Sequence, residues 1–234
     1  MPDDVLKAWR AAGSRGAAAR EEWQVRFDEL GTRKRAEFER RMRHERPASL
    51  AKALRAIPNM QVLRPADTIE TAECWQIALE TRKGPSIIAL TRQNVPTLRH
   101  AVDGNLSARG AYILAGESAS PIRLIASGSE VQLAIAARDL LATDGLAAAV
   151  VSMPSWELFA KQSDSYRHEV MGGDGTVRVA CEAASGFGWE RWLGAKGAFV
   201  GMTGFGASAK AGDLYKHFGI TAEAIAAAAR RLAR

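Results

Sequence analysis

The feature that most constrains this chain is a regular alternation, after residue 110, of short apolar runs with helix-patterned segments. Ile122 to Ala126, Ala147 to Ser152, Val177 to Cys181 and Ala198 to Met202 have the length and apolar content of buried strands. Between them, one helix runs from a cap at Gly128 or Ser129 to about Leu141. Trp156 to about Val170 is mostly helical, and Gly188 to Leu193 is a short helix. Two further helices fall near 209–217 and 222–233. Strands that alternate with helices at this spacing predict an α/β fold, a mostly parallel sheet flanked by helices.

The preceding residues are less regular. Gln61 to Arg64 reads as a strand, and 69–81 as a helix capped by Asp67 or Thr68 with Glu70 in its first turn. Gly84-Pro85 turns the chain into a second apolar strand, Ser86 to Leu90. This βαβ unit is too small to be stable alone. Residues 93–110, with Pro96, Gly104 and Gly110, read as a loop and a domain boundary. Residues 48–57 form a short helix ended by Pro58-Asn59. Residues 3–44 read as helices. Trp23, Phe27 and Leu30 make one narrow stripe, Phe38 and Met42 repeat the spacing, and Gly13, Gly16 and Gly31 punctuate the segment. A stripe this narrow cannot build a core of its own. The expected division is a helical arm over 1–57, the βαβ unit and loop over 58–110, and an α/β domain over 111–234.

The net charge of +6 is concentrated in the arm. Residues 1–56 hold fourteen Lys and Arg against nine Asp and Glu. A basic helix can bind nucleic acid or an acidic membrane. Here Glu21, Glu22, Asp28, Glu29, Glu37 and Glu39 are interleaved with the bases, which reads as a solvated face, so a nucleic-acid partner is not expected. Cys74 and Cys181 are far apart and outside any CxxC pair, as in buried thiols of a reducing compartment. No secretory leader and no run of ~20 apolar residues is seen. A cytoplasmic protein without a membrane partner is therefore expected.

Few residues offer chemistry. Ser127-Gly128-Ser129-Glu130 stands between a strand and a helix, where backbone amides can hold an anion, yet such a turn is equally a plain cap. Ser185-Gly186-Phe187-Gly188-Trp189 only loosely resembles a nucleophile elbow, and His217 fits a helix C-terminus. His44, His100, His168 and His217 lack metal-ligand spacing, and Asp164, His168 and Glu169 read as a surface cluster. The tryptophans read as core or interface anchors. Arg92 differs. It follows the strand Ser86–Leu90 at its carboxyl end, where open α/β sheets bind ligands, and a guanidinium there can grip phosphate bidentately or serve a structural ion pair.

Several stretches together resemble the transketolase family. Arg55-Ala56-Ile57-Pro58-Asn59, Val62-Leu63-Arg64-Pro65-Ala66-Asp67, Glu70 to Trp75, Gly84-Pro85 and Ala89-Leu90-Thr91-Arg92-Gln93-Asn94 resemble the end of its pyrimidine-binding domain. Ala126 to Val131, Val151 to Phe159, Gly188-Trp189-Glu190-Arg191-Trp192 and Phe205-Gly206-Ala207-Ser208 resemble its C-terminal domain. Pro2 to Trp9 and Glu37 to Met42 resemble the helical connection between its diphosphate- and pyrimidine-binding domains. Lys210 stands where the family commonly has Pro.

The resemblance implies a C-terminal transketolase-like domain preceded by a remnant of the pyrimidine-binding domain and a linker-like arm. The family reaction is a transferase reaction of the pentose phosphate pathway, the thiamine-diphosphate-dependent transfer of a two-carbon ketol unit between sugar phosphates. The family holds thiamine diphosphate and Mg2+ with an Asp–Asn pair in a G-D-G motif and a Glu on the aminopyrimidine, and handles substrate with several His. This chain matches none of these. Gly173-Asp174-Gly175-Thr176 lacks the Asn and lies in the wrong domain, and His44 falls in the linker-like stretch. Only Arg92 carries over, as the arginine that contacts the sugar phosphate. No catalytic, cofactor-binding or metal residue is therefore expected, and no cofactor for this chain alone. Three readings follow: part of a split enzyme completed by a complementary chain or a second copy, a non-catalytic interaction module, or a degenerate deletion product. The first and third predict an exposed apolar face on residues 58–92.

Overall fold

The computed structural model describes Lys7, residues 20–32, 34–36, Phe38, 50–194 and 196–233. Met1–Arg46 and Pro47–Arg234 form two compact units. In the first, residues 20–28 are helical and carry Trp23 and Phe27 of the predicted stripe, while Leu30 falls in a bend after the helix. Trp23 stacks on Phe27 with centroids 5.0 Å apart, and the Phe38 ring packs against both. Met42 and His44 lie outside the described residues.

The second unit begins with α1 (Leu50–Arg55), β1 (Gln61–Leu63), α2 (Thr68–Glu80) and β2 (Ser86–Ile88). β1 and β2 pair in parallel, Gln61 beside Ser86 and Leu63 beside Ile88, so the predicted βαβ unit is present. Asp67 caps α2 by accepting from the Glu70 amide at 2.9 Å, and its other oxygen takes the Leu98 amide. One residue thus fixes the helix start and the loop that follows β2.

The main sheet comprises β3 (Tyr112–Ala115), β4 (Ile122–Ala126), β5 (Ala148–Ser152), β6 (Val177–Ser185) and β7 (Ala198–Met202), in the order β3-β5-β4-β6-β7. β4, β5, β6 and β7 are parallel, and β3 runs antiparallel on the β5 edge. Among the helices, α3 is Val131–Thr143, α4 Trp156–Ala160, α5 Asp164–Met171, α6 Glu190–Leu193, α7 Ala211–His217 and α8 Ala222–Leu232.

Alternation along the strands separates two cores. Ile122, Leu124, Val150, Val179 and Cys181 face α3 and α8. Ile125, Val151 and Ala180 face Trp156, Phe159, Trp189 and Trp192. Both faces of the parallel sheet are therefore covered, as such sheets require. The fold class expected from the sequence is the observed one.

Several details differ from the sequence reading: β2 stops at Ile88 rather than Leu90, and the expected loop 93–110 holds a 3-10 turn at Leu106–Arg109. β3 was not expected. The Trp156–Val170 helix is two helices, broken where Ser163 leaves the helix to cap α5 by accepting from the Tyr166 amide. β6 extends past Cys181 to Ser185, and its pairing with β7 slips between Glu182 and Ser185. At the start of the domain, Gly110 has φ +80°, and a Cβ there would lie 2.1 Å from the Phe159 amide nitrogen. Only glycine lets this turn pass so close to α4.

Candidate functional site

The carboxyl ends of β1, β4 and β6 meet around Arg64. Burial alone would drive a carboxylate here to its neutral form. Instead Glu182, fully buried on β6, is surrounded by donors. Arg55 grips both its oxygens at 2.9 Å, Arg64 donates to it, and so do the Ser127 hydroxyl at 2.9 Å and the Trp189 indole at 2.8 Å. Burial opposes ionisation of Glu182, but the charges of Arg64 and Arg55 outweigh it and hold the pKa well below the usual carboxylate range. Arg55 also lies over the Trp156 ring, 3.7 Å from its centroid.

Arg64 bridges to a second buried carboxylate, Glu130, at 3.0 Å. Glu130 also accepts from the Ser129 hydroxyl at 2.7 Å, the Tyr215 hydroxyl at 2.6 Å and the Ala183 amide at 3.2 Å. Gly128, at φ +62°, lets the Arg64 guanidinium lie against its backbone, since a Cβ would sit 3.2 Å from that group. The Ser127–Glu130 turn is therefore filled by the protein's own ions, and the expected cap at Gly128 or Ser129 is not formed: α3 starts after Glu130 without a side-chain cap bond, and the Ser129 hydroxyl is spent on Glu130.

Backbone bonds tie the βαβ unit to the large sheet at the same place. The Arg64 amide donates to the Pro154 carbonyl at 2.8 Å, and the Gly128 amide to the Arg64 carbonyl at 3.0 Å. Glu70 on α2 accepts from Tyr112 at 2.7 Å and from Ser152, both in the large sheet. Burial raises the Glu70 pKa against the pull of these bonds. These carboxylates are structural partners of Arg, Tyr and Ser.

Arg92 occupies the bend after β2 and is exposed. None of its nitrogens has a partner among the described residues. The neighbouring Gln93 donates from Nε2 to the Tyr215 hydroxyl at 3.1 Å, and Tyr215 in turn donates to Glu130. Burial and the Glu130 charge raise the Tyr215 pKa, so the hydroxyl stays protonated and this donation persists.

The remaining sequence candidates do not converge. The Ser185 hydroxyl is buried with no partner among the described residues, while His217 is exposed in the last turn of α7 beside Phe218. Asp164 pairs with Arg167 rather than with His168. Cys74 and Cys181 are free, buried thiols whose pKa values burial raises. A cleft of about 390 Å3 lies at the opposite end of the sheet, lined by Ser118, Ser120, His168, Gly172 and Thr176. Among the described residues no helix is long and apolar enough to cross a membrane, and no three His, Cys, Asp or Glu are grouped to hold a metal ion. Sequence reasoning missed the Arg55, Arg64, Glu130 and Glu182 cluster. Its only sequence signal is charge inside otherwise apolar strand and turn segments.

A covered parallel sheet, with a βαβ unit bolted to its strand ends and an arginine in the bend after an adjoining strand, defines an open α/β domain. Comparison with known proteins names the family. The transketolase pyrimidine-binding domain model matches residues 15–97, and the transketolase-like C-terminal domain model matches residues 110–221. A transketolase of Sinorhizobium medicae is 55% identical over 184 residues, 77% of this chain and 26% of that protein. A solved transketolase from Leishmania mexicana superposes with a TM-score of 0.74 at 44% identity, covering 81% of this chain and 27% of the other. A chain described as a split gene transketolase, inactive beta4 tetramer, gives a TM-score of 0.66 at 26% identity, over 81% of this chain and 62% of that one. The chain belongs to the transketolase family, as a partial, C-terminal-like piece. It spans about a quarter of the length of the curated relatives it matches.

That family implies thiamine diphosphate and Mg2+ for the full enzyme. The described residues do not fit the pair. Mg2+ needs clustered oxygen ligands. Asp174, in Gly173-Asp174-Gly175-Thr176, is exposed in the turn before β6 and belongs to no carboxylate group. The buried carboxylates Asp67, Glu70, Glu73, Glu130 and Glu182 are engaged by arginines, hydroxyls, an indole and amides.

Proposed function

We propose that these residues supply the C-terminal domain and the sugar-phosphate contact of a transketolase whose cofactor is held by polypeptide outside this sequence. By themselves they transfer no ketol unit. The observation that carries this reading is Arg92, exposed at the carboxyl end of a parallel strand with its nitrogens free among the described residues. A guanidinium so placed offers two parallel donors to a phosphate, and Gln93 is tethered beside it. The likeness to the chain of a split gene transketolase supports an arrangement of two polypeptides. A non-catalytic interaction module is the second reading, favoured by the poor fit of the described residues to the cofactor. The protein acts in the cytoplasm, without nucleic acid or membrane.

A ketol-transfer assay with thiamine diphosphate, Mg2+ and phosphorylated sugars tests the reading. The chain is assayed alone and with a second chain comprising the part of the Sinorhizobium medicae transketolase that it does not span. Silence alone and turnover in the mixture are expected. In the mixture, Arg92→Gln should raise KM for the phosphorylated substrate by about 30-fold, from the loss of a charge-assisted bond of about 2 kcal/mol. Turnover by the chain alone contradicts the proposal, as does an unchanged KM.

A further inference from the structure

The outward flank of α2 carries Ala72, Trp75 and Leu79 one turn apart, while Cys74 and Ile77 face inward. Trp75 is 54% exposed and Leu79 70%, and Leu90 after β2 is 48% exposed. Exposed Glu80, Arg82 and Lys83 rim this apolar patch. A patch rimmed by charge is the usual form of a binding surface.

The adjoining sheet is unfinished on one side only. Gln61 and Leu63 of β1 bond to β2, leaving Val62 and Arg64 facing the other way. Those two amides are taken by Glu157 at 3.3 Å and by the Pro154 carbonyl at 2.8 Å, so the outer edge of β1 is closed. On β2, Pro85, Ile87 and Ala89 turn to β1, so the backbone groups of Ser86 and Ile88 point away. No strand among the described residues pairs with that edge. The Ser86 hydroxyl is buried and has no partner among the described residues. A two-stranded parallel sheet is far below the size at which such sheets are stable and covered.

We infer that the free edge of β2 and the Trp75–Leu79 flank of α2 form one docking surface for the polypeptide that completes the pyrimidine-binding domain. The occupant is the part of the transketolase fold that lies outside the span shared with the relatives. This inference rests on the proposed function and adds the surface through which the missing part joins. Two observations select the occupant. The same fold recurs inside chains of which it makes up 26% and 27%. The edge also belongs to a parallel sheet, whereas a second copy related by a two-fold axis would add β2 to itself antiparallel.

The test is sedimentation of the full chain alone and mixed with the separate Sinorhizobium medicae complement. Trp75→Glu and Leu79→Glu are compared with Phe205→Glu, a control at an 88% exposed position. All three sites are exposed, so unchanged melting curves are expected. The inference predicts a mixed assembly that each α2 substitution weakens about tenfold or more and the control leaves intact. An assembly that survives both substitutions overturns the docking surface and leaves the proposed function standing. Self-assembly of the chain that Trp75→Glu abolishes also overturns it, because the occupant is then a second copy. A wild-type mixture that does not assemble overturns both.

Discussion

Gln93 and Tyr215, 122 residues apart, are joined by a 3.1 Å hydrogen bond that ties the Arg92 bend to the C-terminal domain. Tyr215 passes the restraint on to buried Glu130. Tyr215→Phe should therefore cost about 1–2 kcal/mol, a lost hydrogen bond plus a less satisfied buried carboxylate. It should also speed amide exchange over residues 91–95. Urea denaturation and hydrogen exchange measure the two effects. Unchanged exchange would mean that the bend is held by other contacts.

Arg64 neutralises two buried carboxylates at once. Arg64→Met keeps much of the side-chain volume but leaves Glu130 with the neutral donors Ser129, Tyr215 and Ala183, and Glu182 with Arg55 as its one remaining ion-pair partner among the described residues. Breaking a buried ion pair by removing one partner costs about 3–5 kcal/mol. Denaturant unfolding should show a loss in that range. By contrast, removing the exposed Arg167–Asp164 pair should cost under about 1 kcal/mol.

Glu182 also makes stability depend on acid. Its folded pKa lies below its ordinary 4.5 because the charges of Arg64 and Arg55 overcome the cost of burial. The stabilisation is fully present above about pH 4.5 and is lost as the pH falls through the folded value. Glu70 works in the opposite sense. Burial raises its pKa, so its ionised form costs stability above its ordinary 4.5, and that cost is relieved on protonation. Glu182→Gln should be less stable near pH 7 and should lose less stability between about pH 7 and about pH 3 than the parent. Thermal melts across that range measure the slope. An equal slope would assign acid sensitivity to other groups.

Gly110→Ala should destabilise by about 2–4 kcal/mol, combining a positive φ with backbone overlap at α4. The same change at Gly104, where a Cβ meets nothing and φ is ordinary, should be close to neutral.

Much of the large sheet was legible because its strands are continuous apolar runs, the pattern of strands buried on both faces. Ile122–Ala126 and Ala198–Met202 coincide with the expected bounds. β3 was hidden because Tyr112–Ala115 is a short edge strand between Gly110 and Gly116, and those glycines read as loop. The end of β6 was hidden because the apolar run stops at Cys181 and a charged residue, Glu182, follows it. Its charge is tolerated there only through Arg55 and Arg64, 127 and 118 residues away. No local pattern carries such a pairing. The exposed apolar face expected on residues 58–92 is present at Trp75, Leu79 and Leu90, and followed from the sheet partners that the split-enzyme and deletion readings leave missing.

The central claim is that these residues hold the phosphate end of a transketolase site but not its cofactor. Calorimetric titration of the purified chain with thiamine diphosphate and Mg2+, paired with a ketol-transfer assay, tests it most directly. The account predicts no binding heat and no turnover. Saturable cofactor binding with ketol transfer by the chain alone would contradict it.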